Sequence, residues 1–540
     1  MNKWLQGKRW EISLGVIIVF AFGVFLLDLH RYGASFDEPS LYSYADRSIA
    51  AYRSVLSGSS AEPFDDIYSL SYYGPAYLIL GRLGAGAVQT IAPRLDTFDA
   101  WHVINFINFL MGVWLIYLLA QRIASKPAAW LSALLYLTQP LLWGHGVMNP
   151  KDMPFMTAFL GVLVSGMKMV DMYLERQETG AGLHQGRNSR RRWEPWAWLL
   201  LTGILSGLTV SIRILGPAAL GLVWLYALIN KTSARWKILF GAGTLTILTA
   251  YLSWPFLWRN PISNVIQVLQ TMTAYPWIGT VRFEGHNLLA GELPFYYLPK
   301  LLGIQFTLPL ILLSILGTGI LLQRTGLKSK LSSPAVILLL WFWLPILAVM
   351  LLRPNSYDNF RQYLFITPPL FAIAAVAVDK LFDWLRSPAF RYSLAGLLLL
   401  PGIIAGIWLH PYEYVYYNGL VGWTGNVGRS YETDYWATAM CEAGETVSQL
   451  PVQTNRVILG DLVQQNHFTR CATHPFETLI DPYGDQDLSF DYVVLWSRFD
   501  HDLNRYPDLP ARFEIKRGKT VFVVVKSGSG IIRPANGENN

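Results

Sequence analysis

The sequence predicts a polytopic α-helical membrane protein of about eleven transmembrane helices, with a small α/β domain at its C-terminal end. Three observations carry that prediction. Of 540 residues, 52% are hydrophobic and only 15% charged, which is more apolar surface than one soluble core encloses. The apolar residues come in blocks instead of alternating. Basic residues crowd into every second gap between those blocks.

The blocks lie near 12–27, 102–120, 128–143, 154–170, 196–212, 214–229, 238–254, 301–322, 334–352, 362–378 and 392–409. Each approaches the ~20 residues a helix needs to cross a hydrocarbon core about 30 Å thick. Helices are the expected form because lipid offers no partner to an unpaired backbone amide. The first block follows Lys3, Lys8 and Arg9, as a secretory signal would. Asp28, Leu29, His30 and Arg31 offer no small-residue cleavage site after it, so it reads as a retained first helix.

With the N-terminus inside, Arg122 and Lys126 fall inside, as do Arg187, Arg190, Arg191 and Arg192. So do Lys231, Arg235, Lys237, Arg324, Lys328, Lys330, Lys380, Arg386 and Arg391. This is the positive-inside bias. It predicts a multi-pass protein of the inner (plasma) membrane, with a cytoplasmic N-terminus and an extracytoplasmic tail. The net charge of +7 then follows from topology and does not call for nucleic acid. The basic loop 187–192 reads as an anchor near anionic membrane lipid.

Residues 1–409 form the expected membrane domain, interrupted by two polar loops. The first, 28–100, carries Asp37, Glu38, Asp46, Asp65 and Asp66 among aromatics. Its amphipathic segment 41–56 predicts a helix lying along the interface. The second, 255–300, is rich in Trp, Tyr, Phe and Pro, which suits the same depth. The tail, 410–540, pairs a helical pattern at 434–449 with β-branched runs at 456–461, 491–496 and 520–525, hence the α/β domain. Its last dozen residues read as loose. Cys441 and Cys471 both lie in this tail. An oxidising compartment permits a bridge between them, worth about 4 kcal/mol in the chain-entropy account; two unpaired thiols are the alternative. All three polar regions share one face, so the protein is expected to work there.

Two acidic motifs stand out on that face. SFDEPS at 35–40 sets Asp37 beside Glu38, and NPKDMP at 149–154 holds Asp152 between Pro150 and Pro154. Adjacent carboxylates at a membrane surface are costly unless solvated, paired or used. A solvated turn is the plain reading, and the second site strengthens the functional one. The prolines favour an extended, rigid turn. Lys151 is either a weak local ion pair or a cation aimed at phosphate.

These residues are joined by GELPFYYLPKLL at 291–302, NFRQYLFITPPL at 359–370, HPYEYVYYNGLVGW at 410–423 and YETDYW at 431–436. Together they resemble the GT-C glycosyltransferases, in the branch of the protein O-mannosyltransferases and the aminoarabinose transferases of lipid A. The likeness covers the chain to about residue 436. It implies an inverting transfer of sugar from a polyprenyl-phosphate carrier to a hydroxyl of protein, lipid or glycan. Asp37, Glu38 and Asp152 are then the expected catalytic carboxylates, with Asp37 as base and Asp152 orienting the acceptor or helping Asp37 hold a divalent ion. Arg361, Lys300, Arg213 and Lys151 are the expected contacts to the carrier phosphate, with snorkelling anchors as the plain alternative. Where the family often has a basic residue or histidine before a proline, this chain reads SYYGPAYL at 71–78. His286 has no partner at metal-ligand spacing and reads as structural. No nucleotide-binding glycine loop, HExxH or Cys/His cluster occurs, so nothing supports ATP hydrolysis or zinc chemistry. The alternative function is a transporter or flippase of lipid-linked glycans, which would favour paired repeats and midplane sites.

The topology yields a labelling test. Single cysteines placed in 187–192 should react with impermeant reagent only from the cytoplasmic side, and those placed after 410 only from the other. Reaction of both from one side would end the one-face argument.

Overall fold

The structure is a computed structural model and describes residues 8–58, 70–178, 190–273, 275, 277, 279–323, 332–481 and 489–528. Asp65, Asp66, Arg187, Arg324, Lys328, Lys330, the side chains of Arg190, Arg191 and Arg192, and residues 529–540 lie outside that description.

Each apolar block folds as helix, and the protein is a multi-pass membrane protein. The lengths differ from expectation. Among the described residues, Arg9–Leu27, Thr97–Ala120, Asp152–Glu178, Ser333–Leu352 and Pro388–Leu409 are long and apolar enough to span a bilayer. The pair Tyr297–Ile304 and Leu308–Gln323, bent by 117°, makes a sixth if taken as one span. The remaining blocks of the expected eleven are shorter or broken. Block 128–143 divides into Lys126–Leu137 and Pro140–Met148. Block 238–254 opens with a π-turn at Ile238–Ala242, and 362–378 opens with 3₁₀ turns at Arg361–Ile366 before Pro368–Trp384. Proline favours the first turn of a helix and disrupts its interior, so Pro140 and Pro368 begin new helices within apolar runs.

Two of these breaks satisfy each other. Gln139, at the first break, donates to Gln305 O at 3.3 Å and accepts from Thr307 N at 3.2 Å. Asn418, from beyond the last helix, donates from its amide side chain to Gly303 O and Phe306 O, both at 2.8 Å. The 117° bend is thereby paid for in hydrogen bonds from buried side chains, as a lipid environment demands.

Ion pairs gather the helix ends into two sets. At one end Lys126 meets Glu11 at 2.6 Å, Arg122 meets Asp171, and Ser125 N donates to Asp379 at 2.7 Å. Asp37, Lys151, Arg213 and Arg361 occupy the other. There the helix Glu38–Ser57 buries Leu41, Tyr42, Tyr44 and Ala45 with Trp101 and with Leu78 and Ala85 of the helix Ala76–Ile91. Tyr42 stacks on Trp101 at 4.2 Å.

Loop 255–300 carries a hairpin of β1 (Thr280–Phe283) and β2 (His286–Leu289). The tail folds around β3 (Arg456–Leu459), β4 (Glu477–Ile480), β5 (Tyr492–Trp496), β6 (Ala511–Arg517) and β7 (Thr520–Ser527), in the order β4-β3-β5-β7-β6. β3 runs parallel to β4 and β5, while β7 runs antiparallel to β5 and β6. The three β-branched runs are the three inner strands. The helices Met440–Val447 and Leu462–Cys471 are joined by a disulfide between Cys441 and Cys471, Cα atoms 5.1 Å apart.

Asn418→Ala should leave the carbonyls of Gly303 and Phe306 without partners, at a cost of about 1–3 kcal/mol. Thermal unfolding in detergent should show a lower Tm. An unchanged Tm would mean that the bend does not depend on Asn418.

Candidate active site

The site begins with the segment that leads from the first helix to Asp37. Gly33 lies so close to the following parts of the chain that a Cβ there would sit 2.5 Å from Thr438 O. Phe36 N donates to Trp436 O at 3.0 Å. Ser35 Oγ donates to Met148 O at 3.1 Å. The backbone before Asp37 is thus fixed from both the membrane domain and the tail.

Asp37 and Glu38 part ways at this point. Glu38 is fully buried and accepts from Ser35 N and Tyr42 OH, each at 2.5 Å, with His102 Nε2 at 2.9 Å. It shares none of these partners with Asp37, and its geometry fits it to hold the turn and not to reach a substrate. The Asp37 side chain keeps 28% of its surface exposed. Its Oδ2 accepts from Arg361 Nη1 at 2.5 Å and faces Lys151 Nζ at 3.8 Å. Burial pushes the Asp37 carboxyl up, but Arg361 and Lys151 outweigh it and hold the group at about 2.

Around this carboxylate the structure assembles three cations. Arg361 also pairs with Asp358 at 2.7 Å and lies over the rings of Tyr357 and Trp436, both at 5.4 Å. Lys151 Nζ sits 4.6 Å over Tyr73, whose other near cation is Arg213 at 5.9 Å. Arg213 pairs with Asp152, which accepts from Asn149 Nδ2 at 3.1 Å. The Nε atoms of Arg213 and Arg361 are buried without a hydrogen-bond partner, so neither guanidinium has spent all its donors. Burial and the neighbouring Arg361 and Arg213 lower the Lys151 ammonium below its ordinary value.

Asp37, Lys151, Arg361, Arg213 and Asp152 therefore come together. Lys300 does not join them. Its ammonium, 38% exposed, pairs with Glu284 at 3.1 Å beside the β1–β2 hairpin. That competing carboxylate is the reason, and Lys300 is corrected to a hairpin contact. His286 is exposed on β2. A divalent ion fits poorly. Asp37 and Asp152 already hold cationic side chains, and among the described residues no group of three or more His, Cys, Asp or Glu could hold a metal.

The sequence marks Tyr73 only as a departure from the family pattern, and it does not single out Asp358, Glu432 or Arg498. Tyr73 supplies a ring where the family pattern suggests a cation. Gly74 beside it lets the chain lie against Ser211 O, which a Cβ would meet at 2.3 Å. Arg498, from the tail, pairs with Asp358 at 2.5 Å and Glu432 at 3.3 Å and donates to Tyr435 O at 2.8 Å. An isolated arginine in a soluble domain gives no signal of that position.

No protein-family model matches the sequence, and no curated protein matches it. The fold is similar to that of solved structures. ArnT from Cupriavidus metallidurans in the apo state aligns with a TM-score of 0.51 at 13% identity, covering 96% of this chain and 98% of that one. The chain has the fold of ArnT. The same protein bound to undecaprenyl phosphate aligns with a TM-score of 0.50 at 14% identity and the same coverage. An oligosaccharyltransferase from Archaeoglobus fulgidus aligns with a TM-score of 0.45 at 15% identity, covering 88% of this chain and 67% of that one. The likeness to ArnT is one of fold, and it covers nearly the whole chain.

Because its folded pKa is depressed, the Asp37 pairing contributes stability that is fully present above the unfolded value of 3.8 and is lost progressively as pH falls from there through about 2. Arg361→Met should let burial dominate and raise the Asp37 pKa above the ordinary value of 3.8. Difference infrared spectra against Asp37→Asn would locate the protonated carboxyl band. A band appearing only near pH 2 in Arg361→Met would mean that Arg361 is not what depresses Asp37.

Proposed function

We propose that this protein transfers a sugar from a polyprenyl-phosphate carrier to an acceptor hydroxyl of protein, lipid or glycan, at the extracytoplasmic face of the plasma membrane. One observation carries the reading. A single ionised, partly exposed carboxylate, Asp37, stands against Arg361 and Lys151 at one end of the membrane domain, with Arg213 alongside. Fold likeness to a protein crystallised with undecaprenyl phosphate supports the choice of carrier.

In this reading the acceptor oxygen attacks the anomeric carbon from the face opposite the phosphate. The bond from that carbon to the phosphate oxygen breaks, its electron pair stays with the phosphate, and the configuration inverts. Asp37 takes the proton from the acceptor hydroxyl. Arg361, Lys151 and Arg213 stabilise the charge that grows on the leaving phosphate. Asp152 holds Arg213 in place. Glu38 holds the turn that aims Asp37.

The cations link donor binding to the strength of the base. Without a ligand, Asp37 is a weak base because Arg361 and Lys151 neutralise it. A carrier phosphate drawing on those two cations removes what depresses the carboxyl, so its pKa rises in the complex. The acid limb of kcat should then lie at higher pH than the acid limb of kcat/KM, since these report the bound and free enzyme respectively.

Asp37→Asn keeps shape but removes the proton acceptor, so transfer should fall by at least about 100-fold while carrier binding survives. Arg361→Ala should weaken both. The measurement is sugar transfer and carrier-lipid affinity for folded, purified variants in nanodiscs. Near-normal turnover in a stable Asp37→Asn protein would overturn the assignment.

A further inference from the structure

Residues beside both halves of the disulfide hold the segment that ends in Asp37. On the Cys441 side, the segment Trp436–Cys441 receives Phe36 N on Trp436 O at 3.0 Å. It also presses on Gly33, where an added Cβ would meet Thr438 O at 2.5 Å and the Cys441 Cβ at 3.3 Å. On the Cys471 side, the adjacent Arg470 donates to Tyr32 O at 3.1 Å. The same guanidinium grips Asp96 at 2.7 Å and Asp99 at 2.8 Å, at the start of the helix Thr97–Ala120. Arg470 is largely buried and lies 5.0 Å over the ring of Phe98. Tyr32 is fixed in turn at its hydroxyl, which accepts from Trp143 Nε1 at 2.8 Å.

The disulfide closes this arrangement into a ring. Starting at Gly33, the ring passes through Thr438 to Cys441, across the bridge to Cys471, to Arg470, and back through Tyr32 O to the same loop. The bridge fixes the end of the helix Leu462–Cys471, and so the root of Arg470, relative to the segment that bears Trp436. Trp436 itself packs under Arg361. The bridge thus adds a covalent tie to the packing of these two helices, where Gly444 lies against Phe468 O, and so to the spacing of the two grips on the Asp37 loop.

We infer that Arg470 and the Cys441–Cys471 bridge are positioning elements for Asp37, so that full transfer activity requires the oxidised tail. The inference rests on the transferase reading for its activity consequence, while the positioning itself stands apart from it. A dithiol such as dithiothreitol would open the bridge. The S–S bond breaks, each sulfur gains one electron and one proton, and the dithiol is oxidised to its cyclic disulfide. Asp37, Arg361 and Lys151 remain present and charged after this change. What is lost is the fixed distance between loop and cations, and small misplacements of reacting groups lower rate steeply.

The test uses the full chain in nanodiscs, oxidised and then reduced with dithiothreitol, together with the Cys441→Ser/Cys471→Ser double variant. Amide hydrogen exchange of residues 32–37 reads the position of the loop without any substrate. Reduction should speed exchange there and lower kcat by about 10- to 100-fold, with the donor KM changed less than twofold. Arg470→Ala should reproduce both effects, and Arg470→Lys, which keeps one donor group, should restore part of the loss. Unchanged exchange at 32–37 after confirmed reduction, or an equal rise in donor KM and fall in kcat, would overturn the inference. Faster exchange in a protein whose oxidised form transfers no sugar would support the positioning and count against the transferase reading instead.

Discussion

The structure around Asp37 depends on one electrostatic constraint, that the buried charges there alternate in sign. Asp37 meets Arg361, Arg361 meets Asp358, Asp358 meets Arg498, and Arg498 meets Glu432. The chain of alternating sign crosses from the first helix, through the stretch before Pro368, to the soluble tail. Removing one member of such a buried series leaves its neighbour uncompensated, which is far costlier than losing an exposed pair. The chain ends on Asp37, the one carboxylate in it that keeps appreciable contact with solvent. Asp37 is therefore the member of this network open to solvent, at the point where charge is already balanced to the edge of neutrality.

Lipid imposes the second constraint. A helix broken inside an apolar region exposes backbone groups that hydrocarbon cannot satisfy. Here the breaks are stitched by Gln139 and Asn418 instead of being avoided. The bent pair Tyr297–Ile304 and Leu308–Gln323 follows directly on the aromatic loop. Trp277 of that loop stacks on Tyr357 at 4.6 Å, and Tyr357 lies against Arg361.

The legible and illegible parts of the sequence divide along physical lines. Membrane character was legible because apolar blocks sum over many residues, whereas helix length was not, because a proline or a single Gln can divide a block without changing its hydropathy. Inner strands β3, β5 and β7 announce themselves through buried β-branched runs. The outer strands β4 and β6 carry exposed, charged residues and look like loop. Asp37 was legible from its place beside Glu38, but the two could not be told apart. Their difference is made by Tyr42, His102, Arg361 and Lys151, brought from four separate parts of the chain. Lys300 was assigned to the phosphate because its local context gave no hint of Glu284, which the β1–β2 hairpin brings back to it. Arg498 had no local signature at all.

Arg498 also sets an order in time. The ribosome delivers Asp358 and Arg361 well before Arg498, and at ordinary rates of synthesis the interval is on the order of ten seconds. During it the half-built membrane domain holds acidic and basic groups whose final partners have not yet been made. Asn418 is likewise late for the bend it caps. The nascent protein is thus a sequence of incomplete states, finished only when the tail docks. A chain cut short within the tail would be an inserted but unsealed membrane protein, of the kind that membrane proteases remove.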